Sequence, residues 1–250
     1  MTNKKIKAVL FDLGQTLIHF NKVNAMAVFH EAATNSYDYL KELDQPVGSL
    51  KAYKWRNFLS IRVKLLISDL MKRDWDSLVG LRKSHEKKGI RLSAEQWRQL
   101  NWKWYEPLSR RGSIEPDLAE TLGLLRDKGL KLGIVSNTWV NGCSLEKHID
   151  KYGLLHFFDV KVYSYDYPFR KPDKRLFIEA AKQVNVACAN ILFVGDRVDN
   201  DIRGAIRAGM LPVLKTTPEN KRKTLPPTAT RIDKLSELPQ LIEKVNTDNT

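Results

Sequence analysis

The sequence has little cysteine and no long apolar run. Its two cysteines, Cys143 and Cys188, are too few for a disulfide-stabilised scaffold and indicate a reducing compartment. Neither belongs to a Cys-x-x-Cys pair, which argues against a structural zinc site. No stretch approaches the roughly 20 apolar residues of a membrane span, and the first residues lack the pattern of a signal peptide. We therefore expect a soluble, cytoplasmic protein with no membrane partner.

Acidic residues are outnumbered by basic ones, and the formal net charge of the 250 residues is +13. Residues 19–112 contain 18 Lys/Arg and 10 Asp/Glu, so this segment alone contributes +8. The excess suits an anionic partner, although a solvated basic surface explains it equally well. Because no nucleic-acid-binding motif accompanies the charge, a nucleic-acid partner is not indicated.

Short apolar runs alternate with helical patterns at the start of the chain and in its second half. Strands are predicted at 7–12, 131–137, 190–196 and 211–214, and helices between them at 118–128, 172–184 and 201–208. The strands are continuously apolar, which is typical of a parallel sheet that is covered on both faces. The fold class predicted for this part is a doubly wound, Rossmann-like α/β core.

The segment between the first strand and the rest of the core follows a different rhythm. Long helical patterns span 23–43, 50–72 and 94–108, with no clear strand among them. We therefore predict an all-helical domain at 19–112, inserted into an α/β domain made of 1–18 and 113–250. Five of the six tryptophans fall in this insert. They could line a substrate pocket, but for most of them we favour packing between helices.

Polar side chains end the three clearest predicted strands. Asp12 ends the first, Ser136 and Asn137 the second, and Asp196 the third. These residues should converge, because ligands of open parallel sheets bind beyond the carboxyl ends of the strands. Two carboxylates form an oxygen-rich site for a hard cation such as Mg²⁺. With the ammonium of Lys171, such a site could hold a phosphoryl group while one carboxylate attacks it.

These residues fall in four segments that resemble the four motifs of the haloacid dehalogenase-like (HAD) hydrolases. The segments are Asp-Leu-Gly-Gln-Thr-Leu at 12–17, Ser-Asn-Thr at 136–138, Arg-Lys-Pro-Asp at 170–173 and the stretch at 195–205. They occur in the family's order, and the resemblance covers 6–18 and 114–245. It implies an α/β hydrolase core, a helical cap that selects the substrate, a Mg²⁺ cofactor and a small phosphorylated metabolite as substrate.

The resemblance also implies a nucleophile and a metal site. Asp12 would attack the phosphoryl group and form an aspartyl-phosphate. Asp12, Asp196 and the backbone carbonyl of Gly14 would coordinate Mg²⁺.

The remaining motif residues would support that reaction. Ser136 would donate a hydrogen bond to the transferring phosphoryl group, and the adjacent Asn137 would help to shape this substrate-binding part of the site. Lys171 would neutralise negative charge on the nucleophile and the phosphate, and Asp201 would orient the lysine.

One position departs from the family pattern. Most phosphatases of this family carry a second aspartate two residues after the nucleophile, where it protonates the leaving oxygen and activates water; here that residue is Gly14. Losing a general acid–base typically costs about 10²–10⁴ in rate. A phosphatase could compensate by using a good leaving group or an acid from the cap, for which His19, His30 and His85 are candidates.

Two other functions fit the same motifs. A dehalogenase needs no such acid, because its carboxylate attacks carbon, but the presence of both Asp196 and Asp201 argues against it. A non-catalytic protein that binds a phosphorylated ligand would also lack the acid, yet it would have little reason to keep Asp12, Lys171 and Asp196. We therefore predict a HAD-like phosphatase, and no feature of the sequence specifies an oligomeric state.

Overall fold

A computed structural model describes residues 5–20 and 23–247. The chain forms two compact units. The α/β unit comprises Met1–His19, Ser113–Asn137 and Asp150–Thr250, and the helical unit comprises Phe20–Gly112 and Thr138–Ile149. The predicted division differs in two respects. It assigns all of 113–250 to the core, whereas the structure groups Thr138–Ile149 with the helices, and it assigns His19 to the insert, whereas the structure groups it with the α/β unit.

The α/β unit is built on a six-stranded parallel sheet, which confirms the predicted fold class. The strand order is β5-β4-β1-β6-β7-β8. The strands are β1 (Ala8–Phe11), β4 (Lys131–Ser136), β5 (Val160–Tyr163), β6 (Ile191–Gly195), β7 (Leu211–Lys215) and β8 (Thr230–Ile232). The surrounding helices are α5 (Leu118–Asp127), α7 (Lys174–Val184), α8 (Arg203–Ala208) and α9 (Leu238–Thr247). Two further strands, β2 (His19–Phe20) and β3 (Gly112–Ser113), form a separate two-stranded sheet.

The central strand β1 lies between β4 and β6, with Leu10 opposite Gly133 on one side and Phe193 on the other. All four residues of β1 are fully buried. Gly133 is required for this packing, because a Cβ atom there would lie 2.7 Å from the Leu10 side chain and 2.5 Å from that of Val160. The central strands are thus tightly packed. Their carboxyl ends carry three of the predicted site residues, Asp12, Ser136 and Asp196.

The sequence does not predict β5, and the reason is local. Its residues are Val-Lys-Val-Tyr, so Lys161 interrupts the apolar run by which the other strands are recognised. The strand forms because it pairs with β4 in parallel, Val162 opposite Val135. Tertiary pairing therefore determines this strand.

The helical unit contains α1 (Ala25–Glu42), α2 (Leu50–Met71), α3 (Ser77–Glu86), α4 (Ala94–Ser109) and most of α6 (Gly142–Asp150). Polar side chains cap the first four at their N-termini by accepting a backbone N–H; these residues are Asn24, Ser49, Asp76 and Ser93. Such caps satisfy donors that have no partner inside the helix. The prediction misses α3, a ten-residue helix with Gly80 in its interior. No helix in the described ranges is long and apolar enough to cross a membrane.

Candidate active site

The carboxyl ends of the central strands bring three aspartates together. Asp12 directly follows β1 and Asp196 directly follows β6, while Asp201 lies in the turn that leads into α8. One carboxylate oxygen from each of these residues lies within 4.8 Å of the other two. Asp12 is 9% exposed and Asp201 is 1% exposed. Residues that are almost 190 positions apart in the sequence therefore form one acidic cluster.

Lys171 is buried against this cluster. Its Nζ lies 2.5 Å from Oδ1 of Asp12 and 2.8 Å from Oδ1 of Asp201, and it donates to the carbonyl of Val135 at 2.9 Å. Two of its N–H donors thus have acceptors, Oδ1 of Asp12 and the Val135 carbonyl, and the Asp201 carboxylate is an ion-pair partner. Burial alone would lower the pKa of Lys171, but the two carboxylates outweigh it and hold the pKa above its usual value. The lysine is therefore a fixed positive charge.

The pKa values of Asp12 and Asp196 lie well above the usual range of an aspartate side chain. Burial, opposed by Lys171 and reinforced by Asp201, raises the pKa of Asp12 to about 6. Burial, followed by repulsion from Asp12 and Asp201, raises the pKa of Asp196 to about 7. Three carboxyl groups share a single ammonium, so the cluster with all three ionised has an excess of negative charge. A cation bound beside the aspartates would relieve that excess.

A glycine makes room for Asp201. A Cβ atom on Gly195, the last residue of β6, would lie 2.5 Å from the Asp201 carboxyl group. Asp201 is further held by the backbone N–H of Arg197, which donates to Oδ2 at 2.9 Å. The fourth motif thus orients the aspartate that pairs with Lys171, and Gly195 contributes to the site although the sequence prediction did not assign it a role.

Ser136 and Asn137 are neighbours in the sequence, but their side chains have different surroundings. Ser136 is the last residue of β4 and is 6% exposed. The side-chain amide of Asn137 donates to the Lys171 carbonyl at 2.9 Å and accepts from the Lys171 backbone N–H at 2.8 Å. The prediction counts Asn137 among the substrate-binding residues, whereas its side chain holds the backbone of the lysine.

A buried asparagine in a predicted loop supports Asp196. Asn220 is 2% exposed, and its Nδ2 donates to the carbonyl oxygens of Asp196 at 2.7 Å and Lys215 at 2.8 Å. Its Oδ1 accepts from the Thr217 backbone N–H at 3.0 Å. The sequence prediction missed this residue because the stretch after β7 is rich in Lys, Thr and Pro and carries no motif.

The loop after Asp12 leaves space at Gly14. A Cβ atom on Gly14 would meet no atom of the described chain within 4 Å. The next residue, Gln15, has a left-handed backbone with φ of 60°, and its N–H donates to the carbonyl of Ile18 at 2.7 Å. The missing acidic side chain at position 14 is therefore not a steric necessity of this loop.

The histidines considered as replacement acids lie in varied environments. His85 is fully buried in the helical unit, where it contacts the Tyr53 hydroxyl at 3.1 Å. Burial lowers the pKa of His85 to about 4, so it is neutral at physiological pH and acts as a packing residue. His30 is exposed on α1, and His19 lies 3.9 Å from a carboxylate oxygen of Glu115. Burial lowers the pKa of His19 as well.

Comparison with known proteins gives a consistent result. Residues 6–209 match the family model for haloacid dehalogenase-like hydrolases. A glyceraldehyde 3-phosphate phosphatase from Methanopyrus kandleri is 30% identical over 220 residues, which cover 83% of each protein.

Solved structures agree on the fold. A HAD phosphatase from Thermococcus onnurineus aligns with a TM-score of 0.60 and 23% identity, covering 95% of this chain and 98% of that one. A 2-haloacid dehalogenase from Pseudomonas syringae aligns with a TM-score of 0.61 and 25% identity, covering 96% and 99%. The four motifs, the parallel sheet with its acidic cluster and these similarities agree. The chain belongs to the haloacid dehalogenase-like family of hydrolases.

Proposed function

We propose that this hydrolase is a Mg²⁺-dependent phosphatase that acts on a small phosphorylated metabolite through an aspartyl-phosphate at Asp12. The observation that carries the proposal is the cluster of Asp12, Asp196 and Asp201, of which Asp12 and Asp201 form ion pairs with the buried Lys171. The similarity to a glyceraldehyde 3-phosphate phosphatase supports a phosphate ester as the substrate.

The donor set fits a hard divalent cation. Carboxylate and carbonyl oxygens are the ligands that Mg²⁺ prefers, and Asp12, Asp196 and the carbonyl of Gly14 would supply them. Asp201 is engaged with Lys171 and is proposed to orient that lysine. When bound, the cation would neutralise charge and orient the phosphoryl group toward Asp12.

The chain's own residues would carry the reaction in two steps. First, an Asp12 carboxylate oxygen attacks phosphorus, and the bond between phosphorus and the leaving oxygen breaks. The leaving oxygen departs with the electron pair and takes up a proton from solvent water. Water then attacks phosphorus, the bond between phosphorus and the Asp12 oxygen breaks, and the attacking water loses a proton to solvent, which releases inorganic phosphate and regenerates Asp12. Lys171 would offset the negative charge on the phosphoryl oxygens, and the Ser136 hydroxyl would donate a hydrogen bond to them.

The glycine at position 14 sets the type of leaving group. Without a carboxylic acid at this position, the departing oxygen receives no proton from that side of the site. Alcohols of low pKa leave readily without protonation, whereas alkyl alcohols do not. We therefore propose a preference for esters with good leaving groups, together with a role for the helical unit in substrate choice.

The second candidate function is that of a dehalogenase. Its support is the similarity to the Pseudomonas syringae 2-haloacid dehalogenase. Against it stands the excess negative charge of the cluster, since a carboxylate that attacks carbon needs neither a metal nor the additional acid groups of Asp196 and Asp201. The phosphatase therefore accounts for more of the site.

A substrate screen with and without Mg²⁺ tests the proposal. We expect phosphate release that a chelator abolishes and that Asp12→Asn lowers by at least about 10³-fold, because the nucleophile is lost. The matched control is Asp199→Asn, which removes an exposed carboxylate from the same motif. Metal-independent release of halide from 2-haloacids would establish the dehalogenase instead. Binding of phosphate esters without any turnover would establish a non-catalytic binding protein.

A further inference from the structure

The helical unit contains a cavity of about 340 Å³. Its lining is mainly apolar and aromatic and includes Phe29, Trp75, Trp104 and Trp139. The volume falls within the range of small-molecule sites, which are typically apolar clefts with a few placed polar groups. The sequence leaves open whether the tryptophans of this unit line a pocket or pack between helices, and the structure shows both. Trp97 is buried in the hydrophobic core, while Trp75 and Trp104 line the cavity.

Two stacked indole rings lie at the cavity. The rings belong to Trp75 and Trp139, with centroids 5.2 Å apart and planes inclined by 14°. Aromatic side chains favour aromatic ligands, because ring pairs gain energy beyond the apolar area that they bury. The lining therefore favours a ligand with an aromatic ring over a highly polar molecule.

The polar side chains along the cavity are mostly engaged with the protein. Asn57 donates to the carbonyl of Tyr53 at 2.9 Å. Ser77 donates to the Asn101 side chain at 2.8 Å, which in turn donates to Ser144 at 2.8 Å. These groups have little remaining capacity for a ligand.

Lys64 differs from them. It is the one charged side chain among the described residues that line the cavity, and within that described part no carboxylate forms an ion pair with it. Its Nζ lies 6.0 Å from the centre of the Trp75 ring. Burial lowers the pKa of Lys64, and no acid in the part of the chain that the structure describes offsets this effect. A half-buried cation beside an aromatic ring is suited to an anionic group on a bound ligand.

We propose that this cavity is a binding site for an aromatic molecule with one anionic group, its ring against the two indoles and the anion on Lys64. The hydroxyl of Ser60, one helical turn before Lys64 on α2, lies on the same face and can donate to the same anion. The site belongs to the helical unit, and the proposal does not rest on the reaction at Asp12.

Isothermal titration calorimetry with two matched probes tests this site. Naphthalene-2-carboxylate carries the ring and the anion, while naphthalene-2-carboxamide keeps the ring and lacks the charge. We expect one carboxylate bound per chain, and a loss of at least about tenfold in its affinity in Lys64→Met, because an ion-paired hydrogen bond is removed. The carboxamide should bind this variant and the wild type alike. Lys51→Met, at an exposed lysine near the start of α2, is the matched control and should change neither affinity.

A second pair of variants separates this site from the proposed catalysis. Ser60→Phe fills the cavity and should weaken both probes, whereas Asp12→Asn should bind both as the wild type does. Absence of saturable binding to the wild type would overturn the proposal. So would equal affinity of the carboxylate for the wild type and Lys64→Met. Failure of phosphatase activity would leave these binding results unaffected.

A different observation concerns the face of α2 that points away from the cavity. Leu59, Val63, Leu66 and Leu70 are 53%, 45%, 69% and 85% exposed. Their spacing of four, three and four residues places them in one row along the helix. Since the cavity-facing residues lie on the other side, α2 is apolar on both faces, which is typical of a helix that is covered on both sides.

The size and symmetry of this row identify its occupant. With the neighbouring Trp55 and Ile67, which are both at least half exposed, the row presents on the order of 500 Å² of apolar surface, more than half of the ~800 Å² per partner of a stable interface. The largest apolar patch of a typical monomer measures about 300–600 Å² and is often functional. The spacing is the same in both directions, so an antiparallel copy of α2 would place Leu59 against Leu70 and Val63 against Leu66 of the other chain.

We infer that this face forms a two-fold interface with a second copy of the chain. Size-exclusion chromatography with light scattering should give twice the 28.8 kDa mass of the chain. The double variant Leu66→Lys/Leu70→Lys should be a monomer with an unchanged circular dichroism spectrum, and Leu124→Lys, at an exposed leucine of α5, should remain a dimer. A monomeric wild type across the micromolar range would overturn the inference, as would a double variant that remains dimeric.

Discussion

Both units of the chain hold a lysine away from bulk water, and they do so in opposite ways. In the α/β unit, Lys171 forms ion pairs with the carboxylates of Asp12 and Asp201 and donates to the carbonyl of Val135. In the helical unit, Lys64 lies beside an indole ring with no carboxylate paired to it in the described chain. A buried charge that the protein itself satisfies serves to fix a site, whereas one that it leaves unsatisfied is suited to a ligand.

Replacing each lysine by methionine should give the largest difference between the two units, and the quantity that differs is the free energy of unfolding. Lys171→Met leaves two buried carboxyl groups without their cation and should lower the free energy of unfolding by about 3 kcal/mol at pH 8. Lys64→Met removes a charge with which no carboxylate of the described residues pairs, and it should change that free energy by less than about 0.5 kcal/mol, or raise it. Urea denaturation at pH 8 measures both.

Repeating the denaturation at pH 5 sharpens this test. The carboxyl groups left by Lys171→Met can take up protons at low pH, so the destabilisation should shrink there. Equal destabilisation by the two variants at pH 8 would show that the ion pairs of Lys171 add no stability.

Restoring an acid at position 14 should produce the next largest effect. Gly14→Asp introduces a side chain into open space, and it should raise kcat for alkyl phosphates by about 10²-fold, because a general acid becomes available. Aryl phosphates, whose leaving groups need less protonation, should gain much less. Gly14→Asn, which is similar in size but carries no proton to donate, is the control. An equal gain on both substrate classes would show that the acid is not what limits the wild type.

Loosening the lysine backbone should have a smaller effect. Asn137→Ala removes both side-chain hydrogen bonds to Lys171, and we expect kcat to fall by about 10–100-fold, because small displacements of catalytic groups are costly. A residue that positions the lysine should affect kcat more than KM. A rise in KM at constant kcat would instead assign Asn137 to substrate binding, as the sequence prediction had it.

The pH dependence of stability should show the smallest effect. In the metal-free protein the pKa of Asp196, about 7, exceeds the 3.8 of a free aspartate side chain, so the folded state binds more protons than the unfolded state between these pH values. Stability should therefore fall as the pH rises from 5 to 8, by about 1 kcal/mol more than in Asp196→Asn. Saturating Mg²⁺ should remove this difference. Thermal unfolding in buffers of matched ionic strength measures it, and parallel pH profiles for the two proteins would contradict the raised pKa.

The sequence predicts the α/β unit far better than the helical unit. Strand ends can be predicted from apolar runs, and parallel pairing then places Asp12 and Asp196 together, while Lys171 is identified by the third motif. The cavity could not be predicted, because it depends on how aromatic side chains from separate helices pack. The hydrogen-bond partners of Asn137 and Asn220 could not be predicted either, since no sequence pattern indicates which backbone groups a single loop asparagine will bind.

The central claim is that Asp12 and Asp196 share one divalent cation. Calorimetric titration of the metal-free protein with Mg²⁺ tests it directly, with Asp199→Asn as a control for the loss of one carboxylate. The account predicts one Mg²⁺ per chain in the wild type and in the control, and a loss of at least about tenfold in affinity in both Asp12→Asn and Asp196→Asn. Wild-type affinity in Asp196→Asn would contradict it.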